Sequence, residues 1–258
     1  MKQIIYTEWL KVKSYRTFWV MLLLALVIIP AGNFMVADKF SENLEQVSKM
    51  FGNPFSFPEV WLTMASMNSY ISILFGLLLI ILVTNEYTYR TNRQNVIDGW
   101  ERSQFVYAKL FWLAAISLLT LVVATISAAL IGVIYGNKPF SLEGYQYMLY
   151  YFLQFNVMLI IALLIGVLVK RAGLAIVLFI AYNMMLDQLL SFFVKRYIGP
   201  VGGLLPLQSG DELLPFPLVS KMVSASDQYE TSVYITAMIA YIALGIYLVF
   251  RKILKSDL

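Results

Sequence analysis

Long apolar runs separated by short polar breaks dominate the chain, and their lengths match membrane-crossing helices. Six such runs fall at about 18–37, 60–84, 108–135, 145–169, 173–193 and 231–250. The first contains Pro30 and Gly32, which bilayer helices tolerate when neighbours satisfy the freed carbonyls. The third carries Ser117, Thr120, Ala124, Thr125 and Ala128 at helical spacing, a stripe suited to close helix packing. The fourth opens with Tyr145, Tyr147, Tyr150, Tyr151 and Phe152, read as an aromatic belt at one membrane surface. The fold class expected is an all-α polytopic membrane protein, a single six-span domain over residues 1–258.

The segments between the runs have patterns of their own. Residues 2–16 place Ile5, Trp9 and Val12 on one helical face, with Lys2, Glu8, Lys11 and Lys13 elsewhere and Arg16 at the end. This predicts a helix lying in the membrane interface; a basic flank that merely orients the first span is the other reading. Phe40, Leu44, Val47 and Phe51 predict a short amphipathic helix that ends at Asn53, Pro54 and Pro58. Residues 194–230 are apolar yet broken by Gly199, Pro200, Gly202, Gly203, Pro206, Pro215 and Pro217. Short re-entrant or interfacial helices fit that combination, provided protein or water shelters their breaks.

The strongest polar interruption is 85–109, between the second and third spans. It holds Arg90, Arg93, Arg102 and Lys109 against Glu86, Asp98 and Glu101. Glu86 and Arg90 stand at i, i+4, an order that supports a helix, while Asp98-Gly99 reads as a turn and Glu101 as the start of the next helix. Two readings stay open: a helix parallel to the membrane that a cytoplasmic partner pushes, or an ordinary basic loop.

Composition sharpens the class. With 60% hydrophobic and only 13% charged residues, the chain has too much apolar surface for one soluble core. Of 19 lysines and arginines, an even-span topology collects thirteen on one side: Lys2, Lys11, Lys13 and Arg16; Arg90, Arg93, Arg102 and Lys109; Lys170 and Arg171; Arg251, Lys252 and Lys255. The positive-inside rule therefore puts both termini in the cytoplasm and points the basic excess at membrane orientation, not nucleic acid. The first apolar run is too long for a signal peptide, and no small-residue cleavage site follows it. Cysteine and histidine are absent, which excludes disulfides, thiol and Ser-His-Asp catalysis, and His- or Cys-based metal sites. No GxxxxGK[ST] phosphate loop occurs either.

Taken with these residues, the whole chain resembles the membrane subunit of an ABC transporter of the ABC-2 export type. Such permeases have an N-terminal amphipathic helix with a Glu and several basic residues, matched here by Glu8, Lys11, Lys13 and Arg16, with Trp9 on the same interfacial helix. Their coupling segment after the second span begins with a Glu, continues with Gly-Thr and a basic residue, and closes with an Arg and a Lys. Glu86, Thr91, Arg93, Arg102 and Lys109 stand at those places; Arg90 replaces the usual Gly, and Glu101 replaces a frequent Ser. The broken stretch 194–230 is similar to the family's re-entrant helices before the last span. The resemblance implies a coupling segment over 85–107 and a separate cytoplasmic ATPase that binds ATP and Mg, with no cofactor or metal in this chain. It also implies a second permease copy or paralogue and export across the cell membrane.

Asn183, Asp187 and Ser191 lie at i, i+4, i+8 in the fifth span and are candidate translocation-path residues. An intramembrane carboxylate marks function by default. The structural alternative pairs Asp187 with Lys195 or Arg196, or uses it to join helices. From a different functional class, an ion-coupled carrier or a membrane scaffold without an ATPase remains the alternative to the exporter.

Overall fold

The structure, a computed structural model, describes residues 2–42, 52–216 and 228–255. Among these residues the regular structure is entirely helical. In chain order, α1 is Lys2–Lys13, α2 Arg16–Glu42, α3 Glu59–Ile71, α4 Ile73–Thr88, α5 Thr91–Ile97 and α6 Arg102–Ile134. Then come α7, Gln146–Val169, and α8, Ala172–Ala181, which runs through a π-helical turn, Tyr182–Leu186, into α9, Asp187–Ile198. A 3-10 turn, Pro200–Leu204, and the short helix α10, Gln208–Leu213, precede α11, Thr231–Lys255.

Five of these units (α2, α6, α7, α8–α9 and α11) are long and apolar enough to cross a bilayer, and the pair α3–α4 makes a sixth. The chain is thus a multi-pass, all-α membrane protein. The second expected span is not straight. It bends by 40° at Ser72, whose hydroxyl donates back to the Asn68 carbonyl at 2.6 Å and lies 2.9 Å from the Tyr151 hydroxyl of α7. A hydroxyl competing for a backbone carbonyl one turn earlier bends helices.

Helix α7 is the axis of the bundle, packing against α3, α4, α6, α8, α10 and α11. Small residues set how closely the others approach. A Cβ at Gly76 would stand 2.2 Å from the Phe179 ring, so α4 and α8 meet at a distance only glycine allows. The small stripe of α6 is internal as expected, with Ser117, Thr120, Ala124 and Ala128 all buried. Asn33 donates to Asn68 at 2.8 Å, a buried polar tie between α2 and α3. The supposed aromatic belt is partly internal: Tyr151 is buried and Tyr145 packs edge-on against Trp61 at 5.3 Å.

Other boundaries shift for visible reasons. Span three starts at Arg102 rather than near 108, because Glu101 and Gln104 form a reciprocal capping box that nucleates the helix there. Span five runs on to Ile198. The amphipathic pattern beginning at Phe40 is carried in its first residue by the end of α2, and its continuation over 43–51 lies outside the described residues, as does 217–227.

Candidate functional site: a buried ion network and a polar cavity

Helix α1 turns a different face inward than its hydrophobic spacing implies. Ile4, Glu8 and Val12 are buried, while Trp9 is exposed and Ile5 only half-buried. The reason is a polar partner: Lys109 on α6 donates to Glu8 Oε2 at 2.7 Å and also to Glu86 Oε1 on α4. Lys11 completes the set, 2.7 Å from Glu8 Oε1 and 3.4 Å from Glu86 Oε1. Two carboxylates and two ammoniums form a neutral group that ties three helices together, and Glu8, Glu86 and Lys109 are each at most 5% exposed.

Aromatic rings wall the network. Lys11 Nζ is 5.4 Å from the Trp100 ring centre and Lys109 Nζ 5.2 Å from that of Phe105, within cation–π range. Burial alone would raise the Glu8 carboxyl. The charges of Lys109 and then Lys11, followed by their hydrogen bonds, outweigh it and hold the group at about 2. A cavity of about 280 Å³ adjoins the network, bordered by Tyr15, Leu82, Tyr89 and Thr91 among others.

The stretch 85–107 is therefore not one element. Residues 85–88 complete α4, 102–107 open α6, and only α5 is separate. Its start requires a left-handed residue: Arg90 has φ 57°, so Glu86 and Arg90 do not form a helical pair, and Glu86 turns to the two lysines instead. Its end is a Schellman motif, with Gly99 at φ 94°, the Trp100 amide donating to Asn95 O and the Gly99 amide to Val96 O. Arg90, Arg93, Val96 and Ile97 point away from the bundle, while Asn92 and Asn95 face in. Thr91 donates weakly to Glu86 Oε2 at 3.4 Å. Arg102 donates to Leu254 O of α11 at 3.1 Å, which brings the C-terminal end of the last span to the same face of the bundle as α1 and α5. The candidate coupling residues thus separate into an exposed pair, Arg90 and Arg93, a buried pair, Glu86 and Lys109, and the half-buried Thr91 and Arg102.

The second constellation lies toward the opposite end of the bundle. From Ala172, two residues past Lys170, whose Nζ stands 5.2 Å from the centre of the Tyr87 ring next to Glu86, α8 and the π turn rise about 22 Å to Asp187. Asp187 does not pair with Lys195 or Arg196. Its carboxylate accepts from the Tyr182 hydroxyl at 2.9 Å and from the Gln208 amide at 3.0 Å, with the Leu207 amide more distant at 3.5 Å. It therefore joins the fifth span to the start of α10. Ser191 donates to Gly202 O at 2.9 Å and pins the 3-10 turn. Lys195 is bound to Glu212.

Asn183 and Asp187 line a cavity of about 310 Å³, with Tyr70, Tyr151, Gln154 and Asp211 among its other walls. Asp211 and Gln154 were not singled out by sequence reasoning. The signal that marked Asp187, a carboxylate in an otherwise apolar stretch, does not mark Asp211, which sits in the polar run from Gln208 to Glu212. Burial pushes the Asp211 carboxyl up to about 6; Gln154 opposes that by donating at 2.7 Å, and Asp187 and Glu212 reinforce it.

The model of the family described as ABC-2 family transporter protein matches residues 4–186, well over half of the chain. The chain belongs to that family. The match runs from the N-terminal helix through the candidate coupling residues to the end of the π turn. No curated protein matches the chain. ABC-2 membrane proteins work with a cytoplasmic ATPase subunit, so this chain is a transport membrane subunit and not itself the ATPase.

Proposed function

We propose that the chain is the permease subunit of an ATP-driven exporter in the cell membrane. Both termini and α5 lie in the cytoplasm, and a second copy or paralogue completes the pathway. A separate ATPase binds ATP and Mg and docks on the outward side of α5, at Arg90, Arg93 and Ile97.

The observation that carries this reading is the buried network behind α5. A push on a loose loop would be absorbed by the loop. Here α4 leads directly into the turn before α5, and Lys109 clamps α4 to α6 and α1 through Glu86 and Glu8. The three helices move as a unit, and α4 delivers the displacement to the bend at Ser72, which borders the 310 Å³ cavity. Asn183 and Asp187, at that cavity, are the translocation-path residues in this scheme; Ser191 serves the turn beyond it. The α8–α9 unit, only 17% buried over its apolar window, leaves an apolar flank for lipid and the second membrane subunit.

Co-purification of the chain with a co-expressed cytoplasmic ABC ATPase subunit tests docking. Arg93→Glu with Ile97→Glu should abolish its retention and leave the chain's gel-filtration profile unchanged. An ATPase that stays bound, with substrate-stimulated hydrolysis intact, overturns the docking role.

A further inference from the structure

The C-terminal ends of α7 and α11 enclose a trough that the exporter reading does not use. At Gly245 the two helices touch: a Cβ there would stand 2.7 Å from the Ile160 side chain. A turn further on, Leu164 and Leu168 of α7 and Leu248 of α11 line an open groove of about 350 Å³, which Arg251, Lys252 and Lys255 complete. Leu248, Arg251, Lys252 and Lys255 recur at i, i+3, i+4 and i+7, on one face of α11. The other face belongs to α6: the Phe250 and Tyr107 rings lie 5.4 Å apart, and Arg102 donates to the Leu254 carbonyl. The trough therefore opens away from α6, with the exposed Leu168 in its apolar part and three exposed cations at its mouth.

Basic residues that merely orient a span explain part of this. Lys252 and Lys255 stand in the last turn of α11, where the helix dipole favours cations. The ends of α7 and α11 supply about half a negative charge each, against three cations. Among the described residues no carboxylate lines the trough, and none forms an ion pair with Arg251, Lys252 or Lys255. An orienting flank also needs no leucine-lined groove between two helices. Positive charge in excess and an apolar channel leading to it are separate observations, and they meet at one place.

The walls decide which anion. Inorganic phosphate gains nothing from leucines and stays hydrated in so open a groove. An acidic protein segment laid along them would leave its backbone groups without partners beside hydrocarbon. A zwitterionic lipid brings its own ammonium against three cations. A lipid of net negative charge uses both parts: phosphate oxygens accept from the guanidinium and ammonium groups, and an acyl chain runs along Leu164, Leu168 and Leu248. We infer that this trough binds one anionic glycerophospholipid, its headgroup held by Arg251, Lys252 and Lys255. That the lipid belongs to the cytoplasmic leaflet rests on the topology of the exporter reading; that it binds does not.

Native mass spectrometry of the full chain in an uncharged detergent, without any ATPase, tests binding alone. Given equimolar dioleoylphosphatidylglycerol and dioleoylphosphatidylcholine, the protein should retain one phosphatidylglycerol with a preference of about tenfold or more. Excess inorganic phosphate or glycerol 3-phosphate should not displace it. Arg251→Gln with Lys255→Gln should weaken retention about thirtyfold, roughly fivefold per cation. Leu168→Trp, which fills the trough and keeps every charge, should weaken it too. Lys13→Gln with Arg171→Gln removes two exposed cations from the same end of the bundle and should have less than about a twofold effect. Equal retention of both lipids, displacement by inorganic phosphate, or an equal loss in that control pair overturns the inference. So does loss of a co-expressed ATPase in the Arg251 and Lys255 variant with lipid preference unchanged, which would give the cations to a protein partner. A diazirine-tagged phosphatidylglycerol should label wild-type protein near Leu168 and Leu248, a readout that depends on no variant folding; labelling confined to other helices overturns the assignment. Failure of ATPase docking at Arg93 and Ile97 would leave these results untouched, so the two readings fail separately.

Discussion

Lys109 Nζ lies 2.7 Å from Glu8 Oε2, a buried charge pair between residues 101 apart in sequence that fastens the N-terminal helix to the third span. Removing one member of such a pair strands the others in a dry environment, which costs about 3–5 kcal/mol. Lys109→Met should therefore lower thermal stability sharply, because Glu8 and Glu86 then face each other with only Lys11 between them. Glu8→Gln in the Lys109→Met background should recover part of the loss. A cycle in which the two effects simply add would show that Glu8 and Lys109 are not coupled.

The same pair sets an acid limit. The folded chain holds the Glu8 carboxyl at about 2, below its ordinary 4.5, so its contribution is fully present above about 4.5 and is lost as pH falls toward 2. Wild-type protein should lose protection of α1 amides in this window, followed by hydrogen exchange corrected for intrinsic rates. Glu8→Gln, with no charge to lose, should show a flatter profile. A wild-type profile as flat as the variant's would contradict the assignment.

Arg90 makes a local prediction. An L-residue at φ 57° occupies the left-handed region, which costs roughly 1 kcal/mol or more unless it is glycine. Arg90→Gly should increase exchange protection across α5, while Arg90→Val should reduce it. Because Arg90 also belongs to the proposed docking face, Arg90→Gly separates the two roles: a stiffer α5 with weaker ATPase retention means the side chain itself makes contact.

How much of this could be read from the chain depended on whether a feature is local. The small stripe on α6 and the turn at Gly99 follow from short-range pattern and appear as expected, whereas the bounds of spans three and five depend on a capping box and a π turn that the apolar runs do not show. Glu8, Glu86 and Lys109 were marked by their charge, but charge in a polar stretch reads as solvent-facing. Only their convergence from three helices reveals that they are internal. The bend at Ser72 was illegible for a similar reason: one serine in an apolar run is unremarkable until Tyr151 is placed beside it. Asp187 was marked as out of place in a span, yet beside the Tyr182 hydroxyl its donors are the Leu207 and Gln208 amides at the start of α10, which no spacing rule could supply.

Gly76→Ala tests whether the close approach of α4 and α8 matters to the bundle. The new methyl would overlap the Phe179 ring, buried at that contact, and overpacking of this kind costs about 1–3 kcal/mol. Phe179→Leu should restore much of the stability in the double variant by vacating the space. Rescue that fails, with both single variants destabilised, would show that the contact tolerates no repacking.

Asp211 carries a stability argument of opposite sign to that of Glu8. Its carboxyl is raised to about 6, so the fold favours the neutral form. The associated stability is complete below the ordinary carboxylate range and is lost as pH rises through about 6. Asp211→Asn keeps an acceptor for Gln154 and removes the charge. It should raise thermal stability relative to wild type at alkaline pH and give little difference at pH below about 4. Thermal melts across a pH series check this, and a variant no more stable than wild type at alkaline pH would contradict the assignment.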